Sequence, residues 1–338
     1  MTADLHVHLD APLPDALAVG GGTALFVAGW CVAGHGRIAR LRFAVDGVEQ
    51  PVAASGMPRL DVLRALHPGT AEEAAGGYRS GFWGLVRIPA GVGPLVLVEL
   101  VARLADGGIV HAELGRIPVE ELPAAAPAPA VGAKGDGPLV AICMATHQPP
   151  AALLERQLAS IRAQTHRNWV CVISDDGSDP EHLAVLERAV AGDPRVVVSH
   201  SRDRLGFYRN FERALALAPA EAAFIAPADQ DDVWHPDKLE ALLAGIGTAP
   251  LVYSDARVVR PDGTPVADTY WNLRSNNHRD MRSLLVTNAV TGAAALLRRE
   301  LLADALPFPP RQFVHFHDHW LAVCALATGA IAYVDRPL

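Results

Sequence analysis

A chain of 338 residues exceeds the usual size of a single hydrophobic core, so two domains are expected. Its formal net charge of −8 offers no basic face for phosphate neutralisation and excludes a nucleic-acid partner. No run of about 18 apolar residues predicts a membrane span, and Met1 to Asp10 has neither the basic nor the apolar region of a secretion signal, so a cytoplasmic location is expected.

The Gly20-Gly21-Gly22 run comes before a strand-like segment with no helix behind it, so it reads as a turn and not as a phosphate loop. Leu41, Phe43 and Val45 then alternate with Arg40, Arg42 and Ala44 and run into Asp46-Gly47, the pair that closes a tight hairpin. The pattern returns with Val96, Val98, Leu100, Ala102 and Leu104 on one face, followed by Asp106-Gly107 and a second strand from Ile109 to Leu114. Residues 1–118 are therefore expected to form a small all-β sandwich. Trp30, Phe82 and Trp83 read first as core, with stacking on sugars as the other use. The Pro/Ala/Gly-rich stretch 119–137 predicts a linker. Cys31, Cys143, Cys171 and Cys324 have no paired spacing and read as buried, reduced thiols.

From residue 138 to 338 the period changes. Short apolar runs at 139–145, 169–174, 195–199 and 223–227 alternate with helix-like stretches such as Leu153, Leu154, Leu158 and Ile161. This order predicts an α/β domain with a mainly parallel sheet, whose ligands collect at the carboxyl ends of the strands. Asp175-Asp176-Gly177-Ser178-Asp179 follows the second run. An Asx turn and a helix N-cap account for Ser178 or Asp179 but not for two successive acids at a sheet edge. After the fourth run, Asp229-Gln230-Asp231-Asp232 places three carboxylates in four residues. Such a cluster suits a hard cation, Mg²⁺ or Mn²⁺, with a solvated acidic turn as the plain alternative.

Met144-Ala145-Thr146-His147, Gln164-Thr165, Asn168-Trp169, Asp175-Asp176-Gly177-Ser178 and Asp229-Gln230-Asp231-Asp232-Val233-Trp234, with Pro236 and Lys238-Leu239-Glu240, together resemble family 2 glycosyltransferases of the GT-A fold over about residues 138–338. The Asp-Gln-Asp-Asp-Val-Trp form is similar to that of rhamnosyltransferase-like members. The resemblance implies that Thr146 lies beside the nucleoside and that Asp176, backed by Asp175, selects a uracil or thymine ring. It implies Asp231 as ligand to Mn²⁺ or Mg²⁺, with Asp229 as the second acid, nearer the ribose. Arg209 and Asn210 would belong to the donor site, although an ordinary helix start explains them equally. Gly292 would lie under the donor sugar, and Asp318, in His315-Phe316-His317-Asp318-His319-Trp320, would be the general base of an inverting reaction. A carboxylate with a pKa of about 3.9 would be ionised for that task; a helix N-cap is the structural alternative. The alternating His315, His317 and His319 have no fourth ligand nearby and read as a solvated loop and not a zinc site.

The implied partners are a dTDP- or UDP-sugar donor and a glycan or lipid-linked acceptor in surface polysaccharide synthesis, with peripheral association at the inner face of the membrane. Residues 331–338 read as a strand, after which members of the family commonly continue with an Arg or His segment closing over the pyrophosphate. Full activity is thus expected to need more than these residues. Two other classes compete. A nucleotidyltransferase would need a Gly-rich loop where this chain has Ala145-Thr146-His147-Gln148. A glycan-binding protein with an inactive transferase domain would rest on the β-domain.

Overall fold

The computed structural model describes residues 5–19, 22–66, 77–121, 128–129, 131–133, 135–271, 275–309 and 316–338. The chain divides into two compact units, Met1–Pro123 and Ala124–Leu338.

The first unit contains β1 (Leu5–Leu9), β2 (Leu17–Val19), β3 (Gly22–Ala33), β4 (Ile38–Val45), β5 (Val48–Pro51), β6 (Ala54–Met57), α1 (Leu60–Leu66), β7 (Gly81–Pro89), β8 (Leu95–Leu104) and β9 (Ile109–Glu121). One sheet has the order β1-β3-β7-β6 and the other β2-β9-β8-β4-β5. Strand alternation turns Phe43, Val45, Val96, Val98 and Leu100 of the second sheet inward, where they share one core with Leu25, Phe82 and Val86 of the first. The β4–β5 turn has φ of 47° at Asp46 and 81° at Gly47, the left-handed pair that a two-residue hairpin requires. Phe82 is buried in the core; Trp83, on the other face of β7, is buried against Phe26, and Trp30 stacks on His8. Two details differ from the sequence reading. The short helix α1 interrupts the β-run, and β9 continues past residue 118 because Val119, Glu120 and Glu121 find partners in β2. Residues 122–127, 130 and 134 of the expected linker, and Gly20 and Gly21, lie outside the described residues.

The second unit runs β10 (Val140–Thr146), α2 (Ala151–Arg162), β11 (Trp169–Asp175), α3 (Pro180–Val190), β12 (Val196–His200), α4 (Phe207–Ala216), β13 (Phe224–Ala228), α5 (Lys238–Gly245), β14 (Leu251–Asp255), β15 (Val258–Val259), β16 (Pro265–Ala267), α6 (Met281–Val286), β17 (Ala295–Arg298), α7 (Leu302–Ala305), α8 (His317–Thr328) and β18 (Ile331–Pro337). Seven strands form a sheet in the order β12-β11-β10-β13-β17-β14-β18. Only β17 runs antiparallel to its neighbours. The central strands are continuously apolar because helices cover both faces. Val140, Ile142, Met144, Trp169, Cys171 and Ile173 pack in one core with Leu154, Leu158 and Ile161 of α2. The four cysteines are buried and free, and burial pushes the thiols of Cys31 and Cys171 up to about 12. Among the described residues, no helix is long and apolar enough to cross a membrane.

Parallel register sets Thr146 beside Asp175 and Met144 beside Ala228, so the turns after β10, β11 and β13 meet at one sheet edge. Gly177 turns the chain with φ of 66°. Asp179 then caps α3 by accepting from the His182 N–H at 3.0 Å, with Pro180 at the first helical position.

Candidate active site

The floor of the crevice is a network of buried polar groups. The Asp175 carboxylate accepts from Thr146 Oγ1 at 3.2 Å, Ser178 Oγ at 2.6 Å and the Ser178 N–H at 3.0 Å. Asp176 accepts from the Leu205 N–H at 2.5 Å and the Gly206 N–H at 2.9 Å, which pins the turn leading into α4. Both acids are buried. Beneath them Arg213 donates to Ser174 Oγ, Ser199 O and Oγ, and His200 O, and its charge faces Asp175 and Asp176.

Asn210 sits in this floor, not at its surface. Ser174 Oγ donates to its Oδ1 at 2.6 Å, and its Nδ2 donates to Thr146 O and Ser174 O at 3.1 and 3.0 Å. With its amide fully engaged and its side chain buried, Asn210 clasps α4 to β10 and β11. A contact of Asn210 with the donor, expected from the resemblance, stays a proposal beside this structural role. Arg209 pairs with Glu212 and donates to Phe308 O through Nη1.

The acidic turn after β13 is held from three sides. Gln230 forms a reciprocal clasp with the β10 turn, accepting from the His147 N–H at 2.9 Å and donating to His147 O at 3.2 Å. Gln157 donates to Asp229 O at 3.2 Å. Ser160 Oγ accepts from the Trp234 N–H at 3.0 Å, and Gln164 bridges His235 O and the Leu239 N–H. Burial, reinforced by the charges of Asp232, Asp231 and Asp318, pushes the Asp229 carboxyl up to about 7. Asp232 is raised by burial too, and Asp231 stands exposed at the mouth.

Lys238 is the cation that opposes this cluster. It is fully buried, lies 3.9 Å above the Trp234 ring and donates to Ala293 O. Burial lowers its pKa to about 7 against the pull of Asp232 and Asp229. It thereby ties the acidic turn to the 3₁₀ turn Gly292–Ala294. Its sequence signal was its place four residues after Trp234 in the Asp-Asp-Val-Trp run, but nothing local marks it as buried.

Gly292 and Asp318 complete the crevice. Asp318 Oδ2 accepts from the Gly292 N–H at 3.1 Å and Oδ1 from the His319 N–H at 2.7 Å. The N-cap of α8 is Phe316, which has no side-chain bond, so Asp318 does not cap its helix. Burial raises the Asp318 pKa and outweighs those two N–H groups, so the expectation of an ordinary carboxylate pKa is not met. A Cβ at Gly292 would come within 2.7 Å of His317 Nε2 and 3.1 Å of Asp318 Cβ, which is why glycine stands there. His317 is stacked on Phe211 with centroids 3.5 Å apart, and burial lowers it to about 3. His319 bonds Leu284 O. His317 and His319 thus stand in helix α8, the first buried and the second half-buried, and not in the solvated loop expected, while His315 lies outside the described residues.

Among the described residues, no group of three or more His, Cys, Asp and Glu side chains could hold a metal ion by itself. Mg²⁺ and Mn²⁺ sites that use one or two carboxylates and complete their shell with substrate phosphates do not need such a group. The mutual repulsion of Asp229, Asp231 and Asp232 is of the kind a cation relieves.

The family model described as Glycosyl transferase family 2 matches residues 141–306. An uncharacterized protein of Sinorhizobium fredii, y4gI, is 34% identical over 133 residues, which are 38% of this chain and 14% of that protein. The Escherichia coli UDP-Glc:alpha-D-GlcNAc-diphosphoundecaprenol beta-1,3-glucosyltransferase WfgD is 24% identical over 209 residues, 59% of this chain and 74% of its own. The matched stretch thus spans only a small part of the first relative and most of the second. Among solved structures, S. aureus TarS 1-349 in complex with UDP-GlcNAc matches 59% of this chain and 56% of its own, with a TM-score of 0.45 and 18% identity.

Proposed function

Residues 141–306 belong to glycosyltransferase family 2, and from that premise we propose that the crevice transfers a sugar from a dTDP- or UDP-sugar to a glycan or lipid-linked acceptor, with inversion at the anomeric carbon. The observation that carries this reading is the convergence of Asp318, anchored on the Gly292 N–H, with the acidic turn whose Asp229 feels its charge.

Each residue then has a task. Thr146, Asp175 and Asp176 form the nucleoside wall, where the lone pairs of Asp176 not taken by Leu205 and Gly206 face the N–H of a uracil or thymine ring. Asp231 and Asp229 would hold Mn²⁺ or Mg²⁺, which neutralises the diphosphate as it leaves. Gly292 lets the donor sugar lie against the main chain. Asp318 takes the proton of the acceptor hydroxyl as that oxygen bonds to the anomeric carbon and the bond to the diphosphate breaks on the opposite face. A base whose pKa is raised by burial is better matched to this task near neutral pH than an exposed carboxylate.

The Asp-Gln-Asp-Asp-Val-Trp form favours a rhamnosyltransferase-like, dTDP-linked donor, whereas the name of the WfgD relative favours a UDP-sugar and a diphosphoundecaprenol-linked acceptor. Either donor supports a role in surface polysaccharide synthesis, for which we propose the inner face of the membrane. A thermal-shift panel of UDP-, dTDP- and GDP-sugars, with and without Mn²⁺, tests the donor class. A metal-dependent rise with UDP- or dTDP-sugars supports it, and no response to any of them contradicts it.

A further inference from the structure

The opposite end of the same sheet carries a second, chemically different cavity. It is an open depression of about 780 Å³ lined by Arg162, Arg167, Arg188 and Arg195, with Asp193 as the one acid among the described residues of its wall. Arg162 ends α2 and Arg188 stands in the last turn of α3, while Arg167 and Arg195 just precede β11 and β12. The candidate active site lies past the other end of β11, about 20 Å away at roughly 3.3 Å per residue. The two cavities are therefore separate.

The arginines are only partly spent on structure. Arg162 and Arg195 both pair with Asp193, at 3.2 and 3.0 Å. Arg162 also donates to Ala189 O, and the Arg195 guanidinium lies 3.8 Å over the Trp169 ring. These contacts hold two guanidinium groups in place. Arg167 makes a single bond, to Arg162 O at 3.2 Å, and among the described residues neither Arg167 nor Arg188 has an acidic partner. Four positive charges face one negative charge in a chain whose net charge is −8. Gly132 lines the cavity at φ of 74°, where a side chain would meet the backbone of Pro194 and Arg195.

We propose that this cavity binds a phosphate-bearing anion, either a soluble diphosphate or the headgroup of an anionic lipid. Guanidinium groups match phosphate oxygens in pairs, and an open depression suits a strongly charged group that keeps part of its hydration. The site stands independently of the transfer reaction.

The test compares wild type with R167Q/R188Q, two exposed positions whose loss leaves the Asp193 pairs and the Trp169 stack intact. R260Q/R279Q removes the same charge elsewhere on the surface. Calorimetry with inorganic pyrophosphate in EDTA probes the soluble source; sedimentation with phosphatidylcholine vesicles, with and without phosphatidylglycerol, probes the lipid source. Wild type is expected to bind at least one probe, R167Q/R188Q to bind it at least about tenfold more weakly, and the control to match wild type. Melting temperature and transfer should be unchanged in R167Q/R188Q. Absence of binding to either probe, retention of binding in R167Q/R188Q, or an equal loss in the control overturns the proposal.

Discussion

The backbone N–H of Gly292 donates to Asp318 Oδ2 at 3.1 Å, joining two segments 26 residues apart. That bond fixes where the carboxylate stands, and Gly292 leaves no room for a substitute because His317 and Asp318 already occupy the space a Cβ would need. Gly292→Ala should cost about 1–3 kcal/mol of stability through overpacking. It should also lower transfer at least about tenfold by moving the carboxylate. Urea unfolding and a product assay measure the two effects; a fully stable, fully active alanine variant would show that the close approach is not needed.

Asn210 tests the floor of the crevice. Asn210→Ala takes one donor from Thr146 O, which keeps the Asp176 N–H, and one from Ser174 O, and it leaves the Ser174 hydroxyl without its Oδ1 acceptor; each hydrogen bond lost costs about 0.5–1.5 kcal/mol. Equilibrium unfolding should show that loss without any ligand present. An unchanged stability with weakened donor binding would instead return Asn210 to the donor site.

Much of this arrangement was legible in the sequence, and the illegible part has a common cause. The hairpin at Asp46-Gly47 and the acidic turns after β11 and β13 are local patterns, so period and turn chemistry reveal them. Arg209 and Asn210 look like an ordinary helix start, and Asn210 is buried only by packing against strands that lie tens of residues away in sequence. The Gln230 clasp on His147 spans 83 residues, and the Lys238 contact with Ala293 spans 55. The raised pKa of Asp318 likewise depends on burial, which tertiary packing decides. The residues were visible; their partners were not.

Lys238 should be required for the shape of the acidic turn. Replacing it with Met removes the donor to Ala293 O and the charge that opposes Asp232 and Asp229, and leaving a buried acceptor without its partner costs about 1–3 kcal/mol. The variant should unfold at lower denaturant and, where still folded, need more Mn²⁺ to bind donor, as calorimetry would report. Wild-type stability in Lys238→Met would mean the acids do not depend on it.

Asp231 is exposed at the mouth of the crevice, so its removal should leave the fold intact. Asp231→Ala should abolish the metal-dependent part of nucleoside-diphosphate binding, and chelation should do the same reversibly to the unaltered protein. Unchanged affinity in Mn²⁺ would take Asp231 out of the metal site.

The pH dependence follows from Asp318. Its carboxyl is raised by burial, so the base is lost to protonation at a higher pH than an exposed aspartate would be. Transfer should fall tenfold per pH unit on the acid side of that raised pKa, with a limb above the ordinary carboxylate range of about 3.9. A limb at or below that range would contradict the burial argument.

The central claim is tested most directly by Asp318→Asn, assayed for product on the full-length protein while donor affinity is titrated in parallel. The amide keeps the size of the side chain and can still accept from Gly292 but cannot take a proton. Transfer should fall by about 10²–10⁴-fold with donor affinity nearly unchanged. Near-normal turnover in the Asn variant would contradict the account and move the base to another carboxylate of the crevice.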